Sequence, residues 1–286
     1  MQTVNRIATL REEMRGWRKA GLKVALVPTM GNLHKGHMSL VAHAQDYADR
    51  VVVSVFVNPL QFGPTEDFND YPRTLEHDKE LLGKVNANLL FAPPVYEIYP
   101  VGHERTTMID VADLSGILCG AFRPGHFAGV STVVAKLLNI VAPDVAVFGE
   151  KDYQQLIVIR RMVADLCVPV EILGAPIIRD HDGLALSSRN KYLNPRERNI
   201  APRLHESLKL AKQRIETGET DFEAIQQSGM QMLERTGFQP DYFAIRQAAD
   251  LAPLRADSRD LIVLAAARLG RARLIDNVHA HVIEHH

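Results

Sequence analysis

The feature that most limits how this chain can fold is an alternation running through its first two thirds. Short β-branched apolar runs take turns there with segments of helical periodicity. KVALVP (Lys23 to Pro28) reads as a buried strand, followed by a glycine-rich turn and a helix through about Tyr47. RVVVSVFV (Arg50 to Val57) is a continuous apolar run, as expected of a parallel strand covered on both faces. Helices are expected over Thr74 to Val85, Gly129 to Val141 and Tyr153 to Leu166. Between them fall strands over Ala87 to Pro93 and Asp144 to Gly149, and VPVEILGAPII closes the series. Alternation of this kind implies an α/β architecture with a doubly wound parallel sheet.

Beyond about Asp180 the texture changes. Asn194-Pro195, an N-cap followed by a first-turn proline, opens a long helix, and a second helix starts near Asp221. DYFAIRQ, DLIVLAAARLG and ARLIDNVHAHVI then read as three strands. We expect a larger domain over residues 1–179 and a smaller α+β domain over 180–286. With 33 Lys plus Arg against 34 Asp plus Glu the net charge is -1, which argues against bulk nucleic-acid binding. No apolar run reaches the roughly 20 residues of a membrane span, and the amphipathic N-terminus has no apolar signal region. Two cysteines, Cys119 and Cys167, suit a reducing cytoplasm and are expected to be buried thiols. His285-His286 is given no weight.

Ligands of doubly wound sheets bind beyond the carboxyl ends of the strands. This singles out residues 28–37, 58–62 and 149–155. PTMGNLHKGHMSLV puts a turn after a strand and His34-Lys35-Gly36-His37 at a helix start. Unpaired amides there, with Gly31 and Gly36 allowing close backbone approach, suit a triphosphate. Two imidazoles three residues apart share a helix face and can both donate to phosphate; equally, they can cap the turn or bind a metal. In DGLALSSRNKYL, Ser187, Ser188 and Arg189 offer two hydroxyls and a guanidinium suited to phosphate, or a capping pair with a surface arginine. In VFGEKDYQQL, Gly149 ends a strand, Lys151 can neutralise phosphate and Asp152 can cap the helix or serve a magnesium-bound water. Glu150, Lys151 and Asp152 also fit a solvated cap. Gln155 falls one turn into that helix. Asn58 and Gln61 follow the second strand, and Arg123, His126 and Lys136 surround a glycine-rich helix start.

A His-x-Gly-His turn paired with a distant Ser-Ser-Arg loop resembles the Rossmann-like nucleotidylyltransferase and class I aminoacyl-tRNA synthetase superfamily. The whole chain resembles the pantothenate synthetase (pantoate-β-alanine ligase) family. PTMGNLHKGH, FVNPLQF, FRPGHFAGVSTVVAKL, FGEKDYQQL and DGLALSSRNKYL stand in family order and spacing. That resemblance implies two steps: ATP and pantoate give pantoyl adenylate and pyrophosphate, then β-alanine attacks the acyl carbon to give pantothenate and AMP. It also implies which residues hold the substrates. ATP would be lined by Met30, Gly31, Asn32, Leu33, His34, Lys35, Gly36 and His37, and contacted by Gly149, Glu150, Lys151, Asp152, Ile178, Leu186, Ser187, Ser188 and Arg189. His37 and His34, with Lys151 and Arg189, would be the catalytic groups. Gln61 and Gln155 would hold pantoate, and Gln61 would also lie near β-alanine; Asn58, Arg123 and His126 are secondary candidates. Leu186 replaces the usual methionine and Ile178 the usual valine, both conserving apolar size.

The reaction needs no covalent nucleophile from the protein, and Mg²⁺ is expected mainly through the ATP phosphates. The smaller domain and the Ser187-Ser188-Arg189 loop are expected to close over the adenylate. The resemblance further implies a homodimer, with RVVVSVF or the stretch Pro93 to Pro100 contributing an interface. A nucleotidylyltransferase acting on a phosphorylated substrate would lack the FVNPLQF and FGEKDYQQ segments, and a tRNA synthetase would need a basic anticodon-binding surface. A nucleotide-binding regulator without chemistry would have no need of His34, His37, Lys151 and Arg189 together.

Overall fold

The computed structural model describes residues 1–63, 68 and 71–282; His285 and His286 lie outside the described residues. The chain forms two compact units. One comprises Met1–Glu150 and Val158–Pro176, the other Lys151–Ile157 and Ile177–His286. The division thus falls at 176/177 rather than the expected 179/180, and it places residues 151–157 with the second unit.

The first unit is built on six parallel strands: β1 (Gln2–Val4), β2 (Val24–Thr29), β3 (Arg50–Val55), β4 (Leu89–Phe91), β5 (Val145–Gly149) and β6 (Glu171–Ala175). Their order is β1-β4-β3-β2-β5-β6, with Val24 beside Arg50 and Ala25 beside Val145. Alternate residues of each strand face opposite sides. Ala25, Val27, Val51, Val53, Val145 and Val147 pack with Val41 and Ala44 of helix Lys35–Gln45 and Leu82 of helix Leu75–Lys84. Leu26, Val52, Ala146 and Phe148, on the other face, are equally buried. Helix His126–Val141 packs on β2 and on helix Ile7–Lys19. Burial on both faces explains the unbroken apolar strands.

Two expectations need correction here, and one strand was not expected at all. β3 is paired on both edges, by β2 and β4, and Val51 to Val53 are fully buried, so the centre of RVVVSVF has no surface left for a partner subunit. Cys119 is buried as expected, but Cys167 is exposed, set in a left-handed conformation (φ 51°) just after helix Tyr153–Asp165. β1 is a strand of only three residues, too short to carry a period in the sequence.

The second unit lays helices on a three-stranded antiparallel sheet of β7 (Gln239–Gln247), β8 (Asp260–Leu269) and β9 (Ala272–His281), in that order. Its core joins Leu204, Leu208, Ile215 and Leu233 to Leu261, Val263 and Leu274. The single long helix expected after Asn194 is two helices, Pro195–Ile200 and Arg203–Glu216. Pro202 separates them because it has no N–H to continue the ladder. Asn194 and Glu197 cap the first helix reciprocally, and Asp221 caps helix Phe222–Arg235 through the Ala224 N–H.

Candidate active site

In the first unit the chain leaves β2 outward toward β3 and β4, while β5 flanks β2 on the other side. The strand order reverses between β2 and β5, where a doubly wound sheet opens its crevice. The segment after β2 therefore occupies the favoured position. Gly31 (φ 80°) turns the chain where a side chain would come within 2.9 Å of Val55 and 3.0 Å of Asp78. Asn32 follows at φ 51°. The fully buried Asp78 carboxylate accepts from the N–H of Asn32 (3.0 Å) and Leu33 (2.8 Å) and from the Thr74 hydroxyl (3.2 Å).

Next comes a cap made by the two histidines themselves. His34 Nδ1 accepts from the Gly36 N–H at 3.1 Å, and His37 Nδ1 accepts from the His34 N–H at 3.3 Å. A backbone N–H can only donate, so each neutral ring carries its proton on Nε2. The rings lie 4.1 Å apart between centroids. The expectation of unpaired amides at this helix start is corrected for five of them. Asp78 takes those of Asn32 and Leu33, the imidazoles take those of His34 and Gly36, and the His34 carbonyl takes that of His37.

A second group gathers around Gln61, which is 8% exposed at the end of the short 3-10 turn Pro59–Gln61. Asn58 Nδ2 donates to Gln61 Oε1 and to the Gly129 carbonyl, both at 3.0 Å. Arg123 donates to His126 Nε2 (3.0 Å) and to the Gln61 carbonyl (3.2 Å). Because the guanidinium only donates, the neutral His126 carries its proton on Nδ1 and donates to that same carbonyl at 2.9 Å. Arg123 and His126 thus grip the backbone of Gln61. Lys136 turns elsewhere, donating to the Ile98 carbonyl at 3.0 Å.

In the second unit, Lys151 Nζ stands 4.0 Å from Asp152, with 18% of its side chain exposed. The Lys151 carbonyl accepts from Asn277 Nδ2 at 3.1 Å. Lys151, Ser187, Asn190, His205 and Asp276 line a small hollow of about 10 Å³. Ser187 Oγ accepts from the Arg189 N–H (3.2 Å), and the Leu186 N–H meets the Ile178 carbonyl (2.9 Å), which brings those two apolar residues together. Beneath them Arg179 grips the buried Asp276 with two hydrogen bonds, of 2.6 and 2.9 Å, and His205 Nδ1 lies 3.4 Å from the same carboxylate. Burial pushes the Asp276 carboxyl up, but the neighbouring His205 ring and the two Arg179 hydrogen bonds outweigh it and hold the group below the ordinary carboxylate range. Gln155 is half-buried.

The family model for pantoate-β-alanine ligase matches residues 2–279. The chain belongs to the pantoate-β-alanine ligase family. It is 53% identical over 279 residues to a pantothenate synthetase of Pseudomonas savastanoi pv. phaseolicola, covering 98% of this chain and 99% of that one. It is 54% identical to one of Azotobacter vinelandii, covering 97% and 98%. Among solved structures, the pantothenate synthetase of Thermus thermophilus matches with TM-score 0.89 and 47% identity, over 97% of this chain and 99% of that one. A Francisella tularensis ligase, solved with β,γ-ATP and β-alanine, matches with TM-score 0.80 and 34% identity, over 97% of each chain.

For a pantoate-β-alanine ligase the sequence-derived residues form two sets. Met30 to His37, Asn58, Gln61, Arg123, His126, Gly149 and Glu150 belong to the first unit; Lys151, Asp152, Gln155, Ile178 and Leu186 to Arg189 belong to the second. The motifs did not reveal Asp78, Tyr99 or Asp276. Asp78 left a signal, a carboxylate one turn before the buried Leu82 on the apolar side of its helix. Asp276 sits inside a strand whose neighbours Leu274 and Asn277 are buried. No local pattern marks Tyr99.

Proposed function

We propose that this chain joins pantoate to β-alanine in two steps. The pantoate carboxylate attacks the α-phosphorus of ATP, forming pantoyl adenylate and releasing pyrophosphate. The β-alanine amine then attacks the acyl carbon, the C–O bond to AMP breaks, and the amine proton leaves to solvent. The observation that carries this reading is the His34–His37 pair at the carboxyl end of β2, with both Nδ1 atoms occupied by backbone donors and the protons therefore on Nε2.

In this reading His37 and His34 donate to the phosphate oxygens as charge develops, which stabilises the transition state over the ground state. Lys151 and Arg189 offset the remaining phosphate charge, and Ile178 and Leu186 pack on the adenine. Gln61 and Gln155 hold pantoate, with Gln61 also serving β-alanine. Asp152, with a half-exposed carboxylate, suits a water on Mg²⁺; the ion, held mainly by the triphosphate, would neutralise phosphate charge. The Ser187 to Arg189 turn closes over the labile adenylate. We assign the enzyme to the cytoplasm and to a homodimer in which Pro93 to Pro100, with Tyr96 67% exposed, contributes contact. Among the described residues no helix is long and apolar enough to cross a membrane.

The test is to supply Mg-ATP and pantoate with and without β-alanine, following pyrophosphate, AMP and pantothenate. Pyrophosphate from pantoate alone, with AMP and pantothenate appearing only once β-alanine is added, is expected; ADP and phosphate would overturn the adenylate route. His37→Ala is expected to slow pyrophosphate release at least a hundredfold while folding normally, on the order of one lost transition-state donor.

A further inference from the structure

The direction in which Gln61 faces its ligand is decided by groups that have no choice of role. The Gly129 carbonyl can only accept, so the Asn58 atom 3.0 Å from it is the amide nitrogen. The Leu60 N–H can only donate, so the Asn58 atom 3.4 Å from it is the oxygen. With Asn58 oriented by two backbone groups, its second N–H goes to Gln61 at 3.0 Å, and the Gln61 atom receiving it must be Oε1. Gln61 Nε2 is then the end turned away from Asn58, with donors only. The remaining capacity of Asn58 Oδ1 is filled by the Tyr99 hydroxyl at 2.7 Å, the shortest contact in this set.

We infer that Tyr99 is a positioning residue: through Asn58 it fixes the polarity of Gln61, so that this position presents N–H donors and takes a carboxylate or hydroxyl oxygen of the acid substrate while rejecting an ammonium group. The inference rests on the proposed placing of pantoate at Gln61. It follows that β-alanine meets Gln61 through its carboxylate, leaving its amine directed elsewhere.

Tyr99 is built for a fixed task. It is 2% exposed, its ring lies 6.1 Å from that of Phe56, and the Lys136 ammonium sits 5.2 Å from the ring centroid while donating to the adjacent Ile98 carbonyl. A cation over the ring face holds the ring without competing for the hydroxyl. Burial raises the phenol well above its usual range, so the hydroxyl keeps its proton, and its donor role, at every pH the enzyme meets. On the other side of Gln61, Arg123 and His126 hold the backbone carbonyl, so the side-chain amide is the part left to be oriented.

The test separates the side-chain task from the fold. Tyr99→Phe keeps the ring and removes the hydroxyl, leaving the buried Asn58 oxygen with one long hydrogen bond. Pantoate binding, read by calorimetry without turnover, is expected to weaken roughly fivefold to tenfold, the worth of one neutral hydrogen bond. The KM for pantoate should rise in step while the KM for ATP stays within about twofold. Unchanged pantoate binding by a folded Tyr99→Phe protein would overturn the inference. So would equal losses toward ATP and pantoate with a lowered melting temperature, which mark a merely structural residue. Asn58→Asp gives an independent reading. The carboxylate it introduces cannot donate to Gln61 Oε1 while ionised, so pantoate binding should be lost near neutral pH. Binding should partly recover as pH falls and the new carboxyl takes up a proton that it can donate. A flat pH profile for this variant would also overturn the inference. Wild-type protein that binds no pantoate would sink the functional reading itself, whereas wild-type and Tyr99→Phe proteins that bind it equally would sink this inference alone.

Discussion

At the scale of single residues, two buried carboxylates shape the site without belonging to any motif. Asp78 receives the amides of Asn32 and Leu33 and so holds the turn that aims His34 and His37. Asp78→Ala leaves two buried donors unpaired and should destabilise the protein by about 3 kcal/mol, at roughly 1 to 3 per orphaned group. Urea unfolding measures this, and pyrophosphate release from the folded fraction should slow more than tenfold. Asp276 predicts a pH signature. Its carboxyl is held below the ordinary range in the fold, so its contribution is fully present above the unfolded value of about 3.9 and disappears as pH falls through the folded value. Asp276→Asn should therefore cost about 2 kcal/mol near pH 7, the loss for a broken buried pair discounted because Arg179 is partly exposed. The gap from wild type should narrow below about pH 4; a gap independent of pH would refute the assignment. The places of His34 and His37 at a helix start, and of Lys151 and Ser187 just after their strands and turns, were legible in the sequence because short local motifs carry them. Asp78 and Tyr99 were not, since each acts on a segment about 40 residues away, at Leu33 and Asn58, and only the folded sheet brings the partners together.

At the scale of elements, the strands were read well because a strand buried on both faces must be apolar throughout, and Val24–Thr29, Arg50–Val55 and Val145–Gly149 are so in most positions. What escaped were features below the length of a period, namely strand Gln2–Val4 and the break at Pro202. The contact between helix His126–Val141 and the Pro59–Gln61 turn shows how an element can tune a site. Gly129 lets that helix approach so closely that an added Cβ would stand 2.1 Å from the Leu60 carbonyl oxygen and 3.0 Å from the Gln61 nitrogen. A helical glycine is otherwise a liability of about 1 kcal/mol against alanine, so the intrinsic preference favours replacing it. Gly129→Ala is nevertheless expected to destabilise the protein and to raise the pantoate KM at least tenfold, because the helix or the turn must move. A Gly129→Ala protein with wild-type kinetics and higher stability would show that the turn yields freely.

At the scale of the whole molecule, ligand linkage makes the functional reading measurable without catalysis. A ligand present at a hundred times its Kd stabilises the folded state by about 2.7 kcal/mol. A non-hydrolysable ATP analogue with pantoate should therefore raise the unfolding temperature by several degrees, and no shift at saturating concentrations would count against both sites. Sedimentation should give twice the 31.9 kDa of one chain, and Tyr96→Glu should shift it toward the monomer. The chain also passes from the first compact unit to the second at Lys151 and back at Val158 before crossing for good at Ile177. For the gene, this means that the second unit cannot be inherited by a single crossover. A chimera of two relatives joined at codon 176 would pair the main part of one parent's second unit with residues 151–157 of the other, including Lys151 beneath the Asn277 side chain of a foreign strand. Recombination that respects the units needs two exchanges, one of them only seven codons long, so the two units are expected to share one line of descent.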